Sequence, residues 1–236
     1  MNGKNFLVHF LHNKLLRKCA ARYFHGKLLD IGCGGKPYLS WLRPIIDSYL
    51  GFDLPDSAGK KRPIDVGGNA LKLPFKDGSF DSVLCTSVLE HLEEPEIALK
   101  ECFRVLKPGG CAIYSVPLLW HVHEDPRDFF RFTSFGLEHL AGKGGFRITY
   151  LKALSGFWVT FGQLLVYQIY RLHEGWRRFV PVIPVLSFII LGGSYLLDCL
   201  DRNERCTFLY LLVIQKPQEG SDYASSQDKI PHIRSE

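Results

Sequence analysis

The sequence lacks paired cysteines, which limits how the fold can be held together. Its seven cysteines form no C-x-x-C pair and are odd in number: Cys19, Cys33, Cys85, Cys102, Cys111, Cys199 and Cys206. A disulfide framework and a structural zinc site are therefore not expected. Free thiols in a reducing compartment are the simplest interpretation.

A long run of lysine or arginine is also missing. The 29 basic and 24 acidic residues leave a net charge of +5, which is compatible with an anionic membrane surface or substrate. Without a concentrated basic face, no nucleic-acid partner is expected. In residues 1–26, charges such as Lys14 and Arg17 interrupt the apolar positions. A secretory leader is therefore not expected, and the catalytic part should lie in the cytoplasm.

Strand and helix signals alternate along much of the chain. Strands are predicted at 27–31, 48–53, 62–66, 80–86, 111–116, 146–151 and 207–215, and helices at 5–24, 37–46, 94–106 and 135–141. This alternation predicts an α/β fold with a doubly wound, mostly parallel sheet of seven strands. Ligands bind such sheets at the carboxyl ends of the strands.

The predicted elements divide the chain into four parts. Residues 1–26 form an N-terminal helix, and residues 27–153 together with 204–216 form the sheet domain. An apolar helical insertion at 154–203 separates the last two strands. The remaining residues, 217–236, are polar and are predicted to be disordered.

Three signals in the first half of the chain indicate a nucleoside-type cofactor. Asp30 precedes a glycine turn at Gly32-Cys33-Gly34, where the backbone can approach a ligand closely and the carboxylate could meet a ligand ammonium. Asp53 ends the second strand, where a carboxylate accepts hydrogen bonds from both ribose hydroxyls. A loop after the third strand offers the groups for an adenine edge. The predicted cofactor set is completed by Leu54, Asn69, Ala70, Leu71 and Ser87.

Each signal has a simpler alternative, since a glycine turn is common and Asp30 could cap a helix. Asp53 could be an ordinary loop acid, and the segment Leu73-Pro74-Phe75 could belong to the core. The three signals are more specific together than separately. A dinucleotide-dependent oxidoreductase is the nearest competitor, but its G-x-G-x-x-G pattern fails because Pro37 stands at the last position.

At this point the sequence resembles a known family. Residues 28–34, LLDIGCG, resemble the first motif of class I S-adenosylmethionine-dependent methyltransferases. Residues 73–81, 88–92 (VLEHL) and 104–110 (RVLKPGG) are similar to later signatures of that family. The resemblance covers roughly residues 25–120. It implies a Rossmann-like sheet, S-adenosylmethionine as cofactor and methyl transfer, and it leaves the acceptor open.

Two positions depart from the family pattern. Lys36-Pro37 replaces the glycine or alanine often found in the first motif. Asn69 stands where relatives commonly have aspartate, so a hydrogen bond to adenine there would be neutral and weaker. Neither change removes the predicted site.

The loop after the fifth strand, residues 117–133, is dense in groups that can bind or deprotonate an acceptor. It resembles the H-x-x-P-x-D-aromatic-x-R-aromatic-T stretch of methyltransferases linked to bacterial glycan and cell-envelope assembly. His123 is the first candidate for a general base, followed by His121 and His91. Asp128 and Arg131 are interpreted as orienting groups or as a purely structural ion pair. A zinc site from His121, His123 and an acid has no supporting spacing, so no metal is expected.

The insertion contains two uncharged runs, 153–170 and 179–197, separated by a basic segment at 171–178. A shallow membrane hairpin, a lid over the acceptor and a dimer interface all remain open. We expect methyl transfer to an oxygen atom of a small or lipid-linked acceptor of saccharide or quinone type. The alternatives are a degenerate methyltransferase fold that serves as a membrane scaffold and, less favoured, an oxidoreductase. The oligomeric state is open.

Overall fold

The computed structural model describes residues 3–55, 63–172, 182–201, 203–218 and Gly220. Nearly all of the tail predicted to be disordered, 217–236, lies outside the described residues. Most of the basic segment 171–178 also lies outside them.

Seven strands form one sheet. They are β1 Lys27–Ile31, β2 Ser48–Asp53, β3 Val66–Gly67, β4 Phe80–Thr86, β5 Leu106–Pro117, β6 Arg147–Ala153 and β7 Leu209–Gln215. The spatial order is β3-β2-β1-β4-β5-β7-β6, and only β7 runs antiparallel to its neighbours. The predicted doubly wound, mostly parallel α/β sheet is therefore confirmed.

Helices cover both faces of the sheet. They are α1 Phe6–Tyr23, α2 Leu39–Leu42, α3 Pro95–Val105, α4 Ser134–Lys143, α5 Phe157–Leu172 and α6 Val182–Asp201. Alternation along β5 separates two cores, because Ile113 packs with α1, α5 and α6 whereas Tyr114 packs with α3 and α4. Central strands buried on both faces explain the continuous apolar runs in the sequence.

Several predicted boundaries differ from the structure. β5 begins at Leu106 and not at residue 111, so the Lys107-Pro108-Gly109-Gly110 stretch belongs to a strand. Gly110 fits there because a Cβ atom would lie 2.9 Å from the backbone oxygen of Asp81. The helix predicted at 37–46 is α2 followed by a 3-10 turn at Arg43–Ile45, which contains Pro44. The strand predicted at 62–66 is only Val66–Gly67 among the described residues.

The insertion is an antiparallel helical hairpin. At one end the Asp198 carboxylate accepts hydrogen bonds from the backbone N–H groups of Gly156 (2.7 Å) and Trp158 (2.8 Å), which stabilises the start of α5. At the crossing point, a Cβ atom on Gly162 would lie 2.2 Å from Oγ of Ser194, so the glycine permits the close approach. Of the described helices, α6 alone is long and apolar enough to cross a membrane, with a mean hydropathy of 1.9 and 17% of that window buried.

Candidate active site

A cavity of about 830 Å³ opens at the carboxyl ends of β1, β2 and β4. Its volume is in the range of small-molecule sites. Seven of the predicted cofactor residues line it: Gly32, Gly34, Asp53, Leu54, Asn69, Ala70 and Ser87. Asp30, Cys33 and Leu71 do not line it. The sheet therefore brings most of the predicted set to one place.

The glycine turn after β1 has a backbone that only glycine adopts easily. Gly32 and Gly34 have φ values of 73° and 50°. The Gly32 N–H donates to the Phe52 carbonyl at 2.8 Å, which ties the turn to β2. A Cβ atom on Gly32 would lie 2.1 Å from Cγ2 of Val88, whereas one on Gly34 would meet nothing within 4 Å. The turn therefore presents bare backbone to the cavity.

Asp53 links the glycine turn to the end of β2. Its Oδ2 accepts a hydrogen bond from the Gly34 N–H at 2.8 Å, and its Oδ1 accepts one from the Leu54 N–H at 2.7 Å. Asp53 also lines the cavity. This geometry suits a carboxylate that binds neighbouring hydroxyl groups.

Asp30 lies behind the turn, in the interior of the sheet. It is 1% exposed, and its Oδ2 accepts a hydrogen bond from the Tyr49 hydroxyl at 2.5 Å. Burial raises the pKa of Asp30 to about 7, although the Tyr49 hydrogen bond opposes this shift. A direct contact with a ligand ammonium therefore stays a prediction. The Tyr49 partner lies 19 residues away in sequence and had no sequence signal.

The predicted adenine loop is folded by its own side chain. Oδ1 of Asn69 accepts a hydrogen bond from the Leu71 N–H at 2.9 Å. The Leu71 amide is thus used within the loop, which explains why Leu71 does not line the cavity. Asn69 retains its amide group and a second carbonyl lone pair for a ligand.

The acceptor loop is fixed by a buried ion pair. Arg131 donates to both Asp128 carboxylate oxygens, at 2.6 and 2.7 Å, and the Asp128 side chain is 2% exposed. Asp128 also accepts the His123 N–H at 2.9 Å. The Arg131 guanidinium holds the pKa of the Asp128 carboxyl well below its usual range. Neither Asp128 nor Arg131 lines the cavity, so an orienting role towards the acceptor stays a prediction beside the purely structural one.

The three candidate bases differ in whether they line the cavity. His91 lines the cavity, whereas His123 and His121 do not. Nδ1 of His91 lies 2.6 Å from the Arg127 carbonyl oxygen, which can only accept, so Nδ1 carries the proton and Nε2 keeps its lone pair. The ring of His121 packs edge-on against Tyr167, with the centroids 4.6 Å apart. Burial, together with His123, lowers the pKa of His121.

Sequence reasoning missed two features of the site. The sequence singled out the acceptor loop but not its members that line the cavity, which are Glu124, Asp125, Pro126 and Arg127. Glu90 is 0% exposed. Burial raises the pKa of Glu90 to about 8, against the opposing charge of Arg131. The VLEHL signature contains Glu90, but its burial depends on the packing of the acceptor loop.

Comparison with known proteins agrees with this geometry. Residues 29–114 match the family model described as a methyltransferase domain. A probable S-adenosylmethionine-dependent methyltransferase of Mycolicibacterium smegmatis is 30% identical over 113 residues, 45% of this chain and 42% of that protein. A ubiquinone biosynthesis O-methyltransferase of Chromobacterium violaceum is 32% identical over 103 residues, 38% of this chain and 43% of that protein. The chain thus matches less than half the length of these relatives.

Solved structures share the fold. A SAM-dependent methyltransferase from Archaeoglobus fulgidus superposes with a TM-score of 0.55 at 18% identity, covering 88% of this chain and 94% of that one. The matched residues 29–114 contain the glycine turn after β1 and Asp53 at the end of β2. Residues 29–114 therefore belong to the class I, S-adenosylmethionine-dependent methyltransferase family.

Proposed function

We propose that this protein transfers a methyl group from S-adenosylmethionine to an oxygen atom of a small or lipid-linked acceptor of quinone or saccharide type. The observation that carries the proposal is the single cavity shared by two segments. The glycine turn and Asp53 line this cavity, and so do residues 124–127 of the acceptor loop. A bound cofactor and an acceptor would therefore share one cavity.

The cofactor end of the proposal rests on three contacts. Asp53 accepts the ribose hydroxyls, the bare backbone at Gly32 and Gly34 approaches the methionine part, and Asn69 with Ala70 contacts the adenine edge. All of these groups line the same cavity.

The acceptor end requires alignment and removal of a proton. The acceptor oxygen attacks the methyl carbon as the carbon–sulfur bond breaks, and S-adenosylhomocysteine leaves with the electron pair. The hydroxyl proton passes to a base. His91 is better placed for this role than His123, because it lines the cavity and its Nε2 carries the lone pair.

The acceptor class is argued from the relatives and from the surface next to the site. One relative is described as a ubiquinone biosynthesis O-methyltransferase, whose description names a quinone pathway. The insertion helix α5 contacts the acceptor loop, because the rings of Tyr167 and Trp120 lie 5.4 Å apart. An apolar hairpin beside the site suits an acceptor with an apolar part.

Exposed apolar side chains on α6 favour contact with a membrane surface on the cytoplasmic side. Phe188, Ile189, Leu196 and Leu200 are between 63% and 82% exposed. Such a patch on a helix with no charge before Asp198 is typical of an interfacial segment. This contact would bring the cavity close to a lipid-linked acceptor.

A transfer assay tests the proposed reaction. Labelled S-adenosylmethionine is incubated with a short-chain hydroxylated quinol and, separately, with a hydroxylated saccharide. His91→Gln should lower kcat about 100-fold or more while S-adenosylhomocysteine affinity stays the same, as for loss of a general base. His139→Gln on the exposed side of α4 is the matched control and should keep the wild-type rate. A His91→Gln enzyme with an undiminished rate would remove His91 as the base.

A vesicle assay tests the membrane contact. The wild-type protein should co-sediment with anionic vesicles, and Ile189→Asp with Leu196→Asp should release it. Phe135→Asp is the control, because Phe135 is 69% exposed on α4, away from the hairpin. Equal sedimentation of all three proteins would contradict a membrane role for α6 and favour the lid or dimer interpretation.

A further inference from the structure

Glu90 is buried without the contacts that a buried carboxylate needs. It is 0% exposed, and neither Oε1 nor Oε2 has a hydrogen-bond partner among the described residues. Burying a polar group that has no hydrogen-bond partner destabilises the folded protein. Such a group in a folded protein usually indicates a ligand, an ion or a bound water.

Two imidazole rings lie beside this carboxylate. Oε1 of Glu90 is 3.9 Å from Nε2 of His91, and the rings of His91 and His123 lie edge to face with centroids 4.6 Å apart. One ligand atom from each of the three residues lies within 4.8 Å of the others. The three side chains therefore point into a common space.

Hydrogen bonds behind both rings set their tautomers. Nδ1 of His91 donates to the Arg127 carbonyl oxygen at 2.6 Å. Nδ1 of His123 lies 3.3 Å from the His121 carbonyl oxygen and 3.4 Å from Oδ2 of Asp128, and both of these atoms can only accept. Each ring thus keeps its lone pair on Nε2. Metal-binding histidines have this arrangement, in which the second nitrogen donates to a carbonyl or carboxylate oxygen.

We propose that Glu90, His91 and His123 bind a divalent transition metal of the zinc type. Two imidazole nitrogens and one carboxylate are the ligand set of catalytic zinc sites, which keep an open fourth position. Ligand atoms of a tetrahedral zinc ion stand about 3.4 Å apart, from bond lengths of about 2.1 Å. The separations, 3.9 Å between Glu90 and His91 and up to 4.8 Å within the group, exceed this value, so the side chains must move inward when a metal binds. His123 can supply part of this movement, because it lies on a loop and its side chain is 25% exposed.

The surrounding charges permit a cation. The positive charge of Arg131 acts on Glu90, but Asp128 pairs with this charge through two hydrogen bonds. Because His91 also lines the cofactor cavity, the open position would lie next to the acceptor. There the metal would occupy the Nε2 lone pair of His91, so in the metal-bound protein the metal, and not His91, would bind the acceptor oxygen and favour its deprotonation. This role rests on the proposed function, whereas metal binding itself does not.

The experiment is a titration of chelator-treated, full-length protein with Co²⁺ and then Zn²⁺. Wild-type protein should bind one equivalent, show the visible absorption of four-coordinate Co²⁺, and lose that absorption when Zn²⁺ displaces it. Glu90→Gln and His123→Ala should each weaken binding at least about 100-fold, since even outer-shell changes cost 10–100-fold. His121→Ala is the matched control in the same loop and should bind within threefold of wild type.

Two results would overturn the proposal. One is the absence of saturable, equimolar binding to the wild-type protein. The other is equal loss of binding in the His121→Ala and His123→Ala proteins. Calorimetry with S-adenosylhomocysteine on the same samples checks that each variant is folded. It also separates failure of the metal site from failure of the proposed function, because cofactor binding needs none of the three ligands.

Discussion

Gly32 provides a stringent test of the cofactor turn, because two separate constraints act on it. Its φ of 73° is unfavourable for any residue with a Cβ atom, and a Cβ atom there would lie 2.1 Å from Cγ2 of Val88. Gly34 has a φ of 50°, but a Cβ atom there would meet nothing within 4 Å, so only its backbone conformation disfavours other residues. Gly35 has neither a positive φ nor a close neighbour. Alanine at the three positions therefore separates backbone strain from steric conflict.

The expected losses of unfolding free energy follow from these constraints. Gly34→Ala should lose about 1–2 kcal/mol, the cost of a left-handed backbone for an L-residue. Gly32→Ala should lose about 1–3 kcal/mol more, comparable to overpacking a core position, because the stiff valine side chain must move. Gly35→Ala should stay within about 0.5 kcal/mol of wild type or gain slightly, because alanine restricts the unfolded chain.

Urea unfolding without ligand measures these differences. Adding Val88→Ala to Gly32→Ala removes the steric conflict, so the double variant should be less destabilised than the sum of the single changes. A Gly32→Ala protein no less stable than Gly34→Ala would refute the claim that contact with Val88 restricts this position. Additive losses in the double variant would refute it independently.

Three further predictions concern charged groups of the site. Asp53→Ala should weaken S-adenosylhomocysteine binding at least tenfold, because two charge-assisted hydrogen bonds to the ribose hydroxyls are lost. An unchanged affinity in calorimetry would contradict the proposal that Asp53 binds the ribose. Arg131→Met should lower stability by about 2 kcal/mol, because Asp128 loses its partner, and a second change of Asp128→Asn should restore part of the loss in urea unfolding. Asp30 has a pKa raised to about 7 against 3.8 in the unfolded chain, so its protonated form stabilises the fold at low pH and this contribution falls from about pH 4 to pH 7. Asp30→Asn should flatten that slope between pH 4 and pH 7, and an unchanged slope would contradict the shift.

Much of the sheet could be predicted from the sequence. β1, β2 and β4 match the predicted ranges residue for residue, because each is a short apolar run ended by a turn or an acid. β5 could not be predicted at its start, because Pro108 and two glycines favour a turn. Pairing overrides that preference: the Gly109 N–H donates to the Lys216 carbonyl oxygen at 2.9 Å, next to β7.

The cofactor residues of the site were more predictable from the sequence than the residues on the acceptor side. Gly32, Gly34 and Asp53 follow strand ends directly, so the topology of the sheet places them together. His91 and His123 lie on separate segments, and their distance depends on how the acceptor loop packs. Sequence alone ranked His123 first as a base, whereas the structure places His91 at the cavity.

The most direct test of the central claim is isothermal titration of the protein with S-adenosylhomocysteine, with NAD as the control. The account predicts micromolar, equimolar binding of S-adenosylhomocysteine and no binding of NAD. Absence of S-adenosylhomocysteine binding, both in buffer and with anionic vesicles, would contradict it and favour a scaffold with an inactive cofactor site.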